Sequence, residues 1–172
     1  MQRNFTKKLF GCVTLICIFL QYRSLGQEPK TKYENWKDYY SFWNAKKLAK
    51  TSDRVYCASN NALCYFDIAE KTIHKISKLN GLSDVGIKTI ACNDSDKTLI
   101  VGYENGNIDI ITEDATTNIV DIKLKQINNN KSINDIKFMA GKAFLATTFG
   151  IVVIDYKKAQ IEDTYILNST GE

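Results

Sequence analysis

The apolar and polar positions along the chain predict short β-strands joined by tight turns. In residues 98–111, two apolar runs rich in β-branched side chains, Leu99–Val101 and Ile108–Ile111, flank the pair Asn105-Gly106. Asn and Gly tolerate positive φ, so this pair favours the two-residue turn of a β-hairpin. The segment is therefore predicted to be a hairpin with Asn105 and Gly106 at its turn.

The hairpin pattern recurs on both sides of this segment. Apolar arms also flank Asn60-Asn61 in residues 54–67 and Phe149-Gly150 in residues 143–155. The successive turn pairs are 45 and 44 residues apart, which is the length of one four-stranded propeller blade. The repeat predicts an all-β fold, a partial β-propeller of about three four-stranded antiparallel blades, over residues 44–77, 87–122 and 133–166.

The connection between the first two predicted blades contains Asn80, Gly81, Leu82 and Asp84. We expect Gly81 and Leu82 to anchor this crossover, with Leu82 as an apolar plug between neighbouring blades. Gly106, like Gly150, is expected to serve its turn through a permissive backbone. These positions are interpreted as structural, not as a ligand site.

The first 26 residues have the layout of a secretory signal peptide. Three basic residues precede the apolar run Leu9–Leu20, and Ser24-Leu25-Gly26 offers a cleavage motif. The run of 12 residues is short for a membrane span, although an uncleaved anchor is the alternative. Residues 27–34 then form a polar lead-in, and residues 35–172 form the partial propeller.

Removal of the leader makes the chain formally neutral. The leader holds four of the 23 basic residues and no acidic one, which leaves 19 basic and 19 acidic side chains. No basic stripe with interleaved aromatic residues is present, so the sequence argues against nucleic acid binding. From the leader we expect the chain to be exported.

An aromatic cluster follows the lead-in and includes Trp36, Tyr39, Tyr40 and Trp43. Amphipathic aromatic side chains of this kind form partner surfaces or stack on sugars. Alternatively, the cluster packs the entering chain against the first blade.

Candidate chemistry is sparse. His74 is the single histidine, and no nucleophile or metal-ligand pair accompanies it. Asn93-Asp94-Ser95-Asp96 lacks the glycine and glutamate of a calcium loop and is interpreted as an Asx-rich turn. The sequence therefore predicts no catalytic, cofactor-binding or metal-binding residue.

Three cysteines remain after the leader: Cys57, Cys64 and Cys92. A turn at Asn60-Asn61 places Cys57 opposite Cys64, where a cross-strand disulfide is conceivable in an oxidising compartment. The alternative is that all three are small, buried strand residues.

Three blades would leave two sheet faces uncovered, because propellers close with about four to eight blades. We therefore expect the chain to be the N-terminal piece of a longer protein or a truncated reading frame. Assembly of several copies into one ring is a further alternative.

Residues 78–90, with Asn-Gly-Leu-Ser-Asp at 80–84, run into the hairpin 98–111 and resemble a two-component-regulator-type propeller repeat. More narrowly, the chain is similar over residues 35–167 to the PorZ family of N-terminal β-propellers from the type IX (Por) secretion system. Three further matches support the narrower resemblance, at residues 130–136, 149–155 and 36–40.

The resemblance implies a scaffold without catalytic activity, located at the outer-membrane surface or in the periplasm of a Gram-negative bacterium. Its implied partners are a sortase-like protease and associated surface proteins, in an attachment complex that transfers anionic lipopolysaccharide to secreted cargo. Lipopolysaccharide binding is assigned to family regions outside this chain. The alternative function is a glycan-sensing propeller ectodomain of a two-component regulator, and an enzyme is disfavoured because His74 stands alone.

Overall fold

The computed structural model describes residues 42–126 and 130–167, and nearly all of their regular structure is β-strand. A one-turn helix, α1, spans Asp121–Leu124. The strands, in chain order from β1 to β12, are Lys47–Lys50, Arg54–Ala58, Leu63–Asp67, Thr72–Ile76, Ile87–Asn93, Thr98–Tyr103, Ile108–Ile111, Thr116–Ile119, Ile133–Met139, Lys142–Thr147, Gly150–Asp155 and Gln160–Ile166.

The strands form three antiparallel sheets of four strands each, β1–β4, β5–β8 and β9–β12, and neighbours in each sheet follow chain order. We call these sheets blades 1, 2 and 3. Strand β5, the first of blade 2, lies against β1 and β9, the first strands of its neighbours. This arrangement is an open, partial β-propeller, and the predicted fold class is confirmed.

The hairpin turns differ in length, although the sequence predicts two residues for each. In blade 1, Ser59 N donates to Ala62 O at 2.9 Å, which leaves Asn60-Asn61 as a two-residue turn. In blade 2, Tyr103 N donates to Asn107 O at 3.1 Å, so the turn contains three residues and the prediction there is wrong. Gly106 has φ 84° and supplies the left-handed residue that such three-residue turns require.

The third turn lies one residue earlier than predicted. Thr147 pairs with Gly150, so Thr148 and Phe149 form the turn and Gly150 begins β11. Gly150 has φ 148°, and a Cβ at this position would overlap the carbonyl oxygen of Tyr165 on β12. Glycine is therefore required both by the positive φ directly after the turn and by the close approach of β12.

Blade 2 ends differently from the predicted strand over residues 117–122. Strand β8 stops at Ile119, and the chain turns into α1. The helical turn buries Ile122, which is 3% exposed, in the contact between blades 2 and 3. Burial of this side chain stabilises the helical ending because it removes apolar surface from water.

The hydrophobic core lies between the blades in two clusters. Tyr56, Ala58 and Leu63 of blade 1 pack against alternate residues of β6, namely Leu99, Val101 and Tyr103. The intervening Ile100 packs with blade 3. Strand β6 is buried along its whole length, because successive side chains point to opposite faces and both faces are covered.

Leu82 is 4% exposed and belongs to the cluster between blades 1 and 2. Its amide donates to Ser77 O at 2.9 Å, which fixes the crossover against the end of blade 1. The structure thus places Leu82 between blades 1 and 2, the two blades that the crossover connects.

We predict that Leu82→Asp lowers the free energy of unfolding by more than about 3 kcal/mol, because an unpaired carboxylate would enter an apolar contact. Leu79→Asp is the matched control, since Leu79 lies in the same connection and is 58% exposed. Denaturant titration of both variants provides the measurement. Equal midpoints for the two variants would contradict the assigned packing.

Candidate functional site

A cluster of polar side chains lies where the crossover into blade 2 meets the β6–β7 turn of the same blade. We call it the junction cluster. Its members come from the crossover, from β6 to β8 and from α1: Asp84, Tyr103, Asn105, Asn107, Asp109, Asn118 and Lys123.

Asp84 is the ionic centre of the junction cluster and is 7% exposed. Its Oδ2 accepts hydrogen bonds from Lys123 Nζ at 2.7 Å and from Asn105 Nδ2 at 2.8 Å. Its Oδ1 accepts from the Val85 amide at 2.9 Å, and Lys78 Nζ lies 3.9 Å away. Asp84 thereby ties the crossover to the hairpin turn and to α1.

Asp109 occupies the second acidic position and is fully buried in β7. Its Oδ2 accepts from the Tyr103 hydroxyl at 2.6 Å and from the Ser83 amide at 2.8 Å. Its Oδ1 accepts from Asn118 Nδ2 at 2.8 Å. Asp109 therefore joins the crossover, β6 and β8, and both of its oxygens accept hydrogen bonds, as buried polar groups require.

The asparagines complete the junction cluster by holding the turn. Asn105 Oδ1 accepts from the Asn107 amide at 3.0 Å, which is the local pattern that favours Asn in turns. Asn107 Oδ1 accepts from Asn118 Nδ2 at 3.0 Å. Beyond the cluster, Lys131 Nζ donates to Lys123 O at 2.7 Å, so the next crossover is attached as well.

The electrostatics of the junction cluster oppose proton transfer near neutral pH. Burial raises the pKa of Asp84, but hydrogen bonds from Lys123 and Asn105 outweigh this effect and lower the pKa from 3.8 to about 2. Burial and the neighbouring Asp109 raise the pKa of Tyr103 far above its usual range. Asp84 stays ionised and Tyr103 stays protonated, so the two groups suit structural hydrogen bonds.

The sequence singled out Asp84 and Asn105 but not their partners. Asp109 could have been identified from the sequence, because it lies between Ile108 and Ile110 in a strand that is apolar on both sides. Asn118 and Lys123 could not have been identified in this way, because their roles depend on the position of α1 and on the strand register of the blade.

Contacts between blades at the opposite end also use Asx residues. The Tyr156 hydroxyl of blade 3 donates to Asp96 Oδ2 at 2.8 Å and accepts from Asn93 Nδ2 at 2.7 Å. The Ser52 amide of blade 1 donates to Asp94 Oδ1 at 2.6 Å. The Asx-rich turn therefore joins all three blades.

The remaining crossover residues serve the exit from blade 1. Asn80 Oδ1 accepts from the Ser77 amide at 2.6 Å, and Asn80 Nδ2 donates to Lys75 O at 3.0 Å. Gly81 has φ 156°, and a Cβ there would lie 2.9 Å from Ile76 Cγ2. A side chain at Gly81 would therefore press against the end of β4.

Of the four predicted interaction aromatics, the structure describes Trp43, which is 87% exposed. Trp36, Tyr39 and Tyr40 lie outside the described residues. Next to Trp43, the ring of Phe42 lies 4.8 Å from Lys75 Nζ on blade 1.

His74 lies on the outer strand of blade 1, stacked on Tyr65 with ring centroids 4.7 Å apart. Within residues 42–126 and 130–167, no group of three or more His, Cys, Asp or Glu side chains is arranged to hold a metal ion. Over the same residues, no helix has the length and apolar character needed to span a bilayer.

The three sheets and their polar blade junctions define a β-propeller. Residues 55–172 match the family described as the N-terminal β-propeller domain of PorZ from the type 9 secretion system, and the chain belongs to this family. No curated protein matches the chain.

Solved structures agree with this assignment. The chain is 30% identical to PorZ, described as an essential bacterial surface component of the type IX secretion system of Porphyromonas gingivalis, with a TM-score of 0.66 over 70% of this chain. The chain spans 16% of the length of that structure.

Two other structures share the fold. The extracellular domain of BT4673, a two-component system protein of B. thetaiotaomicron, is 14% identical, with a TM-score of 0.60 over 72% of this chain and 17% of its own. AztD from Citrobacter koseri is 15% identical, with a TM-score of 0.54 over 73% of this chain and 34% of its own.

We predict that Asp84→Asn destabilises the protein by about 2 kcal/mol near neutral pH, because the folded-state pKa lies below the unfolded one. The stability from Asp84 is present above its unfolded pKa of 3.8 and is lost as pH falls toward about 2. Unfolding curves of both proteins from pH 7 to pH 2 should converge on acidification. A constant difference across this pH range would contradict the assigned ionic role.

Proposed function

We propose that this chain is a non-catalytic β-propeller domain of an exported, surface-associated type IX secretion component, acting as a protein-interaction scaffold. In this proposal, the scaffold belongs to an outer-membrane attachment complex that transfers anionic lipopolysaccharide to secreted cargo. The observation that supports it is the family match over residues 55–172, together with 30% identity to PorZ.

The chemistry of the junction cluster supports a scaffold over an enzyme. Hydrogen bonds from Lys123 and Asn105 keep Asp84 ionised. The Tyr103 hydroxyl donates its proton in a hydrogen bond to Asp109 Oδ2. Both side chains form their hydrogen bonds within the junction cluster, so neither is placed to exchange a proton with a substrate.

The partner surface in this proposal is the aromatic set Trp36, Tyr39, Tyr40 and Trp43. Large aromatic side chains contribute strongly to protein interfaces because they bury much area with few rotatable bonds. The exposure of Trp43 supports its use in this way. The partners are the sortase-like protease and associated surface proteins, whereas lipopolysaccharide contact belongs to regions outside this chain.

We predict that deleting the gene abolishes lipopolysaccharide attachment to secreted cargo. Simultaneous replacement of the four aromatic residues by Ala should cause the same loss, because the scaffold would no longer bind its partners. Tyr165→Ala is the matched control, since Tyr165 is 55% exposed on blade 3. The measurements are the gel mobility of cargo and the co-purification of partners, at equal surface levels of each variant.

Normal cargo modification in the deletion strain would contradict the proposed function. Loss of glycan-dependent transcription in that strain, with cargo modification intact, would instead support the sensor ectodomain. If the deletion abolished cargo modification but the four-residue variant modified cargo normally, only the assigned partner surface would be contradicted.

A further inference from the structure

Cys57 and Cys64 face each other across β2 and β3 of blade 1. Ser59 N bonds to Ala62 O at the adjacent turn, and hydrogen-bonded pairs alternate along an antiparallel ladder. Cys57 and Cys64, two residues further on, are therefore a hydrogen-bonded pair with Cα atoms about 5.5 Å apart. This spacing lies within the range that a disulfide bridges.

The two thiols lie on the face of blade 1 that points away from blade 2. Leu48, Cys57, Cys64 and Lys75 form one row across the four strands, whereas the flanking Tyr56 and the neighbouring row of Ala58 and Leu63 contribute to the cluster with blade 2. Leu48 is 70% exposed and both cysteines are half-buried. Because both cysteine side chains are partly exposed, a thiol reagent has access to them.

The chemistry of the pair differs from that of the third cysteine. Burial and the neighbouring Cys57 raise the pKa of the Cys64 thiol, and the Lys75 ammonium opposes this shift. Cys92 packs against the cluster between blades 1 and 2, and burial raises its pKa to about 12. A thiol with so little thiolate reacts slowly, so Cys92 does not compete with the pair.

We propose that Cys57 and Cys64 are a redox site, which closes to an intramolecular cross-strand disulfide after export. The inference depends on the proposed function in one respect, namely that export places the chain in an oxidising compartment. The oxidant is the disulfide of a thioredoxin-like oxidoreductase. One cysteine thiolate attacks that disulfide and releases one thiol of the oxidant. The second cysteine thiolate then attacks the mixed disulfide and releases the other thiol.

The reaction balances within this pair of partners. Two S–H bonds of the chain are replaced by one S–S bond, and the oxidant's S–S bond is replaced by two S–H bonds. The bridge links strands on either side of Asn60-Asn61, so it fixes the hairpin on the face of blade 1 that points away from blade 2. Reduction by a dithiol reverses the change.

The sequence offers a direct readout of the bridge. Tryptic cleavage after Arg54 and Lys71 places both cysteines in one peptide, Val55–Lys71, and Cys92 in another, Thr89–Lys97. Full-length protein recovered from the cell envelope is unfolded, alkylated with one reagent, reduced, and alkylated with a second. We expect Val55–Lys71 to take only the second reagent, and Thr89–Lys97 only the first.

A second arm tests the chemistry without export. Reduced, purified full chain is equilibrated in a mixture of reduced and oxidised glutathione, and the same peptides are analysed. We expect the bridge in Val55–Lys71, whereas the control Cys64→Ser should leave Cys57 open to the first reagent or to glutathione.

Full alkylation of both cysteines by the first reagent in the envelope sample overturns the proposal. Glutathione adducts on both cysteines in place of the bridge, or a bridge to another chain, overturn it as well. Neither arm measures cargo modification, so failure here is distinguishable from failure of the scaffold function.

Discussion

The described structure depends on the burial of blade 2 on both faces. Leu99, Val101 and Tyr103 of β6 pack toward blade 1, and Ile100 packs toward blade 3. A β-sheet with two apolar faces is stable in water only when both are covered. The positions of the neighbouring blades, and thus the ends of their connections, follow from this requirement.

The polar junctions determine how the connections cross between blades. Asp84 and Asp109 are withdrawn from water, which is costly unless their oxygens are paired. Lys123, the asparagines and Tyr103 supply the partners. Because the two carboxylates and their partners come from the crossover, the β6–β7 hairpin, β8 and α1, the hydrogen bonds form only when these four segments are in place. The cluster therefore favours one arrangement of the connections.

The sequence predicted the strand repeat because the two central strands of each blade are short, largely apolar runs on either side of turn residues. The hairpin around Asn105-Gly106 illustrates this, since its β-branched arms and its turn residues agree. Turn length was less predictable: Gly106 suits both two-residue and three-residue turns, and hydrogen bonding to Asn107 decides between them. Gly150 was assigned to a turn but begins β11, and glycine is required there by the positive φ and also by the approach of Tyr165 on β12.

The candidate site was predictable only in part. Asp84 and Asn105 each stand in a recognisable motif, but the ion pair between Asp84 and Lys123 joins residues 39 positions apart. Local pattern carries no information about such a contact, which depends on strand register and on the helical ending at α1. Ile122 shows the same limit, since its burial required a departure from the predicted strand.

Amide hydrogen exchange, resolved strand by strand, tests the central claim most directly, because slow exchange reports the most deeply buried hydrogen-bonded strands. The account predicts that amides of β6 in blade 2 exchange most slowly, and that amides of β4, on the outer edge of blade 1, exchange much faster. Equal protection of the three blades, or slowest exchange in blade 1 or blade 3, would contradict the central position of blade 2.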